Sequence, residues 1–204
     1  MQRFKSFIGE NSLHVFDIDD TLFHTTAKVK VMKGSQHVAS LSNAEYNTHR
    51  LPKGHEYDFS EFRSAHKFDT ESKPIHRMLN KLKAIHQKSK TKSNSKVILN
   101  TAREDFDDKD TFLNKFRKHG IDIDDIHVHR SSNNKNPDLS VAQKKTEVIH
   151  NHLQTGKFKS ASLYDDSKEN LKHFMNLKNE HPNVTLRAYH VQPDGSIKKH
   201  HEDV

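Results

Sequence analysis

Apolar residues in this chain fall in short runs set between long polar stretches, and the spacing inside each run separates strands from helices. Leu13-His14-Val15-Phe16, Val97-Ile98-Leu99, Ile126-His127-Val128 and Ala161–Tyr164 are brief and dense, as buried strands are, and Val184–Val191 gives one more. Between them the period changes. Ile75, Met78, Leu79, Leu82 and Ile85 mark one face of a helix with Pro74 in its first turn. Further helices are predicted at about 107–119, with Gly120 as C-cap, at 140–154 and at 167–180. Lys28–Met32 and His37–Leu41 flank Gly34-Ser35 and read as a β-hairpin. The polar stretch 42–73 carries a short helix at Asp58–His66, and Lys88–Lys96 is a low-complexity connector. The residues after 191 read as a polar tail. Strands alternating with helices predict an α/β fold with a parallel sheet covered on both faces, whose ligands bind beyond the carboxyl ends of the strands.

Those strand ends carry the candidate chemistry. The first run stops in Asp17-Ile18-Asp19-Asp20-Thr21. Residues i and i+2 of a strand point the same way, so Asp17 and Asp19 are expected side by side. Paired carboxylates repel unless a cation neutralises them, and a hard divalent metal with oxygen ligands is the usual solution. The second run leads into Asn100-Thr101-Ala102-Arg103, where a hydroxyl and backbone N–H groups can donate to a phosphoryl oxygen. The run Ser162-Leu163-Tyr164 ends in Asp165-Asp166-Ser167, with Asn170 following, and Lys145 stands near the front of a helix between them. Each segment alone has an ordinary reading, since Asp is a turn residue and Thr and Asp are common N-caps.

Taken in order, D-x-D-x-T, apolar run–Thr, Lys and apolar run–Asp-Asp-x-x-x-Asn resemble the haloacid dehalogenase (HAD) superfamily of aspartate-nucleophile phosphohydrolases, over about residues 13–191. The resemblance implies a Rossmannoid three-layer sandwich with sheet order 5-4-1-2-3. It makes Asp17 the nucleophile and Asp19 the general acid–base. It assigns Mg²⁺ to Asp17, the Asp19 carbonyl and Asp166, with Asp165 or Asn170 in support. Thr101 and Lys145 would hold phosphoryl oxygens, with Lys144 the alternative lysine. Position 20 is Asp where many relatives carry Gly.

The resemblance also frames the rest of the chain. Residues of about 24–73 exceed what the core needs and are expected to form a small cap that leaves the cleft open, within a hydrolase domain spanning 11–204. By family analogy an open cleft favours large substrates such as nucleic-acid 3′-phosphate ends or nucleotides. The alternatives are a phosphatase for a sugar phosphate or phosphoprotein, and a DNA-associated scaffold that only retains the fold. Residues 1–10 resemble the amphipathic capsid-targeting leaders of T4-like phages, with Ile8-Gly9-Glu10 fitting the Ile/Leu-x-Glu triplet cut in such leaders.

Charge and composition narrow these readings. The 204 residues carry 34 Lys and Arg against 27 Asp and Glu, a net charge of +7, which favours phosphorylated or polyanionic partners. Arg103, Lys28, Lys30 and Arg130 are candidate phosphate contacts. No basic platform interleaved with aromatic residues stands out, so single-strand stacking has no support in the sequence. Cysteine is absent, which excludes disulfides and thiol catalysis and fits a reducing, cytoplasmic setting: host cytoplasm or virion head for a phage protein. The 18 His residues are scattered without the spacing of a zinc site. No run approaches the ~18 apolar residues of a membrane span.

Overall fold

Strand β1 (Ser12–Phe16) is buried at every position, as a central strand covered on both faces must be. It belongs to a computed structural model that describes residues 11–200 apart from 47 and 92–94. The candidate leader at 1–10 therefore lies outside the described residues. From β1 the chain leaves the core through β2 (Phe23–His24) and builds β3 (Val29–Lys33), β4 (Gln36–Leu41), α1 (Asn43–Tyr46), β5 (Glu56–Asp58) and α2 (Ala65–Glu71). It returns through β6 (Lys73–Pro74), which pairs antiparallel with β2. Beyond α3 (His76–Ser89) strands and helices alternate: β7 (Lys96–Thr101), α4 (Lys109–Lys118), β8 (His127–Arg130), α5 (Val141–Leu153), β9 (Ser160–Asp165), α6 (Lys168–Asn176), β10 (Thr185–Val191) and β11 (Ile197–Lys199).

The main sheet runs β11-β10-β9-β1-β7-β8, parallel except for β11, with Val15 opposite both Ile98 and Leu163. The excursion between β2 and β6 has its own antiparallel sheet, β4-β3-β5. Alternate side chains of β1 go to opposite faces. Phe16 packs with Met78 and Leu82 of α3 and Phe112 and Phe116 of α4, whereas Leu13 and Val15 pack with Ile149 and Leu153 of α5 and Leu171 and Phe174 of α6. Each fully buried Leu or Phe of this kind is worth about 1.5–3 kcal/mol relative to exposure. Local signals place the helices. Ser140 and Gln143 form a capping box at α5, Asp108 caps α4, and Gly120 takes the left-handed conformation (φ 71°) that ends it. Among the described residues no helix is long and apolar enough to cross a membrane.

Three predicted details change. Pro74 precedes α3 instead of sitting in its first turn: it lies opposite Phe23 in β6, and the Ile75 amide donates to the Leu22 carbonyl (2.9 Å). The helix expected at Asp58–His66 is broken up. Asp58 ends β5 and accepts from the Ser60 amide and hydroxyl, a 3₁₀ turn covers Ser60–Arg63, and Ser64 caps α2. Short polar side chains here bond to nearby backbone and so compete with helix propagation. The polar tail also forms a strand, β11, after a turn in which Gln192 and Ser196 pair and Gly195 has φ 76°.

One core position works against stability. His14 is buried, and both of its ring nitrogens lack a hydrogen-bond partner among the described residues. Burial, reinforced by Arg187, lowers its pKa from 6.5 to about 4. Because the fold favours the neutral ring, stability is complete above about pH 6.5 and falls as pH drops toward 4. His14→Leu should therefore stabilise the protein by about 1–3 kcal/mol, the cost of unsatisfied buried polar groups. Urea unfolding at pH 7 and pH 5 checks this, and the gain should be larger at pH 5.

Candidate active site

The parallel pairing of β1 with β9 runs one residue past the strand, because the Asp17 amide donates to the Tyr164 carbonyl (3.0 Å). Asp17 is thereby fixed at the carboxyl edge of the sheet, 4% exposed. The chain then folds tightly on itself, with the Ile18 carbonyl accepting from the amides of Thr21, Leu22 and Phe23. That turn needs a left-handed residue, and Asp20 supplies it at φ 55°. Asp tolerates this region better than most residues, which gives a backbone reason for Asp at this position. The Asp20 carboxylate accepts from the Asn43 side-chain amide (2.8 Å), joining the excursion to the turn.

Helix α5 delivers Lys145 into the same edge. Its Nζ donates to Asp17 (2.6 Å) and to Asp165 (3.0 Å) while the side chain stays buried. Of the two candidate lysines, it is Lys145 that reaches Asp17; Lys144 lines the adjoining cavity. Asn100 Nδ2 donates to the Lys145 carbonyl (2.9 Å) and ties β7 to the helix. Asp165 is held at several points, accepting from Lys145, the Ser167 amide (2.9 Å) and the Asn170 side chain (2.9 and 3.1 Å). Asp166 is less restrained, with the Thr21 hydroxyl at 3.5 Å.

Carboxylate oxygens of Asp17, Asp165 and Asp166 lie within 4.8 Å of one another, so three acids share one lysine. Burial pushes the Asp17 carboxyl up to about 7 against the pull of Lys145, with Asp165 and Asp19 adding to the rise. Burial and the neighbouring Asp165 and Asp17 likewise hold Asp166 well above the usual carboxylate range. Burial alone lowers the Lys145 pKa, but Asp165 and Asp17 outweigh it and hold the ammonium above the usual lysine range. Hard oxygen donors carrying excess negative charge fit a divalent cation such as Mg²⁺.

The side-by-side pairing of Asp17 and Asp19 does not occur. Strand geometry stops at Phe16, and Asp19 turns to Arg103, whose Nε and Nη2 grip both carboxylate oxygens (2.9 and 2.7 Å). The Asp19 side chain is therefore not in the carboxylate cluster. Arg103 is corrected in the same way: instead of reaching out to substrate phosphate it is 2% exposed, also bonded to the Phe62 carbonyl, and enclosed by the rings of Phe62, Phe68 and Phe106. Lys30 and Arg130 pair with Glu61 and Asp105. Thr101, expected to hold phosphoryl oxygens, ends β7 fully buried and is not among the residues lining the adjoining cavity; its hydroxyl accepts from the Arg103 amide (3.2 Å).

A cavity of about 630 Å³ opens above the cluster. Asp17, Asp19, Lys145 and Asp166 line it together with Tyr46, Tyr57 and Phe59 from the excursion. The sequence reading missed these rings. The only signal was the alternation Tyr57-Asp58-Phe59 on a short strand and its exit.

A mostly parallel sheet with helices on both faces and acids at the central strand end is a Rossmann-like α/β fold. No family model matches the chain, and no curated protein does. Among solved structures, the HAD domain of the effector protein Lem4 from Legionella pneumophila is similar, with a TM-score of 0.50 and 12% identity, over 90% of this chain and 87% of that one. At that identity the likeness speaks to the fold alone.

Proposed function

We propose that this protein is a Mg²⁺-dependent phosphomonoesterase that uses Asp17 as its nucleophile, with nucleic-acid 3′-phosphate ends or nucleotides as substrates. The observation that carries this reading is Lys145 bridging Asp17 and Asp165 inside a carboxylate cluster at the cavity. Asp17 attacks phosphorus, the Asp17–phosphorus bond forms as the bond to the leaving oxygen breaks, and Asp19 gives that oxygen a proton. Asp19 then takes a proton from water as it releases inorganic phosphate from Asp17. To do so Asp19 must free one oxygen from Arg103, which otherwise holds both. Lys145 keeps Asp17 aimed and meets negative charge on the phosphoryl oxygens. Asp17 and Asp166 would hold Mg²⁺, with Asp165 in support, and the metal would reduce repulsion between an anionic nucleophile and an anionic ester. The excursion of residues 24–73 acts as a small cap in this reading.

The test is phosphate release from p-nitrophenyl phosphate and from 3′-phosphorylated oligonucleotides, with Mg²⁺ and with EDTA. Release that depends on Mg²⁺ is expected; release unaffected by EDTA, or none on any substrate, would overturn the proposal. Asp166→Asn should raise the Mg²⁺ concentration for half-maximal rate by about 10–100-fold.

A further inference from the structure

The rings that share the cavity with the acidic cluster form an arrangement of their own. Tyr46 meets Tyr57 edge-on (centroids 5.0 Å, planes at 79°) and Phe59 edge-on (5.5 Å, 88°), and Tyr57 lies 6.1 Å from Phe59. None of the three belongs to either hydrophobic core cluster. The Tyr57 hydroxyl is fixed by His49 (2.8 Å), and Phe59 remains 40% exposed. Rings held in place yet left partly open to water beside a polar site have contact surface still to bury.

The cations on the cavity wall divide into two groups. Lys145 and Arg103 are paired with the acids of the site, and Lys135 with Glu104. Arg63 and Lys144 also line the cavity, and neither has a side-chain hydrogen bond or ion pair with any described residue. The cavity thus combines the carboxylate cluster, an aromatic surface and two cations that have no ion pair among the described residues, with the Glu169 carboxylate also on its wall.

We propose that Tyr46, Tyr57 and Phe59 form a base-stacking subsite, and that the substrate is a phosphomonoester of a nucleotide that carries a further phosphate near Arg63 and Lys144. This rests on the reading of Asp17 as the phosphoryl centre. Every base offers a π-face, so such a surface needs no sequence preference. A sugar phosphate has no π-face to stack and offers the rings only its C–H groups. A phosphotyrosine peptide does bring a ring, but with its phosphate at Asp17 it matches the two cations only where acidic residues flank the phosphotyrosine. A free nucleoside bisphosphate and the 3′-phosphorylated end of an oligonucleotide supply the same chemistry.

Phe59→Trp gives the test a direct readout, because the chain has no tryptophan. In EDTA, thymidine 3′,5′-bisphosphate and a 3′-phosphorylated trinucleotide should quench the new fluorescence saturably, and glycerol 2-phosphate should not. Tighter, strongly salt-dependent binding of the trinucleotide identifies a nucleic-acid end as the source, and equal binding identifies the free nucleotide. In turnover, Phe59→Ala should raise the KM for the bisphosphate, relative to that for glycerol 2-phosphate, about tenfold, the affinity one stacked base carries. Arg63→Gln should raise the KM for the bisphosphate more than that for thymidine 3′-monophosphate. The proposal is overturned by quenching that does not saturate, by an unchanged KM ratio in Phe59→Ala, or by a phosphotyrosine peptide binding more tightly than either nucleotide. Saturable quenching without turnover of any substrate would sink the catalytic reading and leave the subsite standing.

Discussion

Asp17→Asn is expected to lower Mg²⁺-dependent phosphate release by about 10⁴-fold or more, as loss of an attacking group does, while leaving the metal-free protein at least as stable as the wild type. An amide cannot attack phosphorus, and Lys145 together with the rest of the cavity cannot replace the missing oxyanion. The stability half follows from the charge count. Asp17, Asp165 and Asp166 share one ammonium, and burial raises the Asp17 pKa from the usual 3.8 to about 7. A fold that raises an acid's pKa favours its protonated form, so the contribution of Asp17 to stability declines as pH climbs from about 4 to about 7. Asparagine keeps the shape and carries no charge to desolvate. Thermal melts in EDTA should show the variant gaining on the wild type more at pH 8 than at pH 5. Retained turnover would remove Asp17 from the nucleophile's role, and a variant less stable than wild type at pH 8 would contradict the charge count.

How much of this was legible in the sequence depends on the range of each interaction. The buried strands announce themselves because Val15, Ile98 and Leu163 sit in short apolar runs, and a strand that is covered on both faces needs little else. Lys145 was legible through its spacing before Asp165 and its place on the apolar face of α5 with Ile149. The fate of Asp19 was not. It depends on the chain leaving strand geometry at Asp17 and on the residues after β7 bringing Arg103 beside it, 84 positions away. The aromatic surface was hidden for a similar reason. Tyr46, Tyr57 and Phe59 lie in a polar stretch without periodicity, and they converge only when β5 pairs with β3 and Tyr57 reaches His49. β11 escaped notice because its pairing is made by backbone while Ile197 is its sole apolar residue.

The Asp19–Arg103 and Asp17–Lys145 pairs give the two candidate catalytic acids different surroundings. Arg103 is a buried guanidinium within aromatic rings, and it grips Asp19 with two parallel bonds. Lys145 instead divides its charge between Asp17 and Asp165, leaving Asp17 only partly compensated. One acid is restrained by its cation, and the other sits where a further cation is favoured.

Lys145→Met is the substitution with the largest expected cost to the fold. Among the described residues it removes the only ammonium that the cluster of Asp17, Asp165 and Asp166 bonds to, and leaves Asp17 buried with no cationic hydrogen-bond donor. Asp165 still has the Ser167 amide and the Asn170 side chain, so the loss falls mainly on Asp17. Breaking a buried pair by removing one partner costs about 3–5 kcal/mol, and methionine replaces only the packing of the lysine stem. Urea unfolding in EDTA at pH 8 should show a loss of that size. At pH 5 the loss should shrink, because without Lys145 the raised Asp17 pKa rises further and the carboxyl is protonated there. Excess Mg²⁺ should restore more stability to the variant than it adds to the wild type, since a cation that binds only the folded state stabilises in proportion to RT ln(1 + [L]/Kd). Turnover should fall about 10²–10³-fold even with Mg²⁺ present, as removal of a donor to a developing oxyanion does. A variant as stable as wild type in EDTA at pH 8 would mean that Asp17 and Asp165 do not depend on Lys145 for their charge.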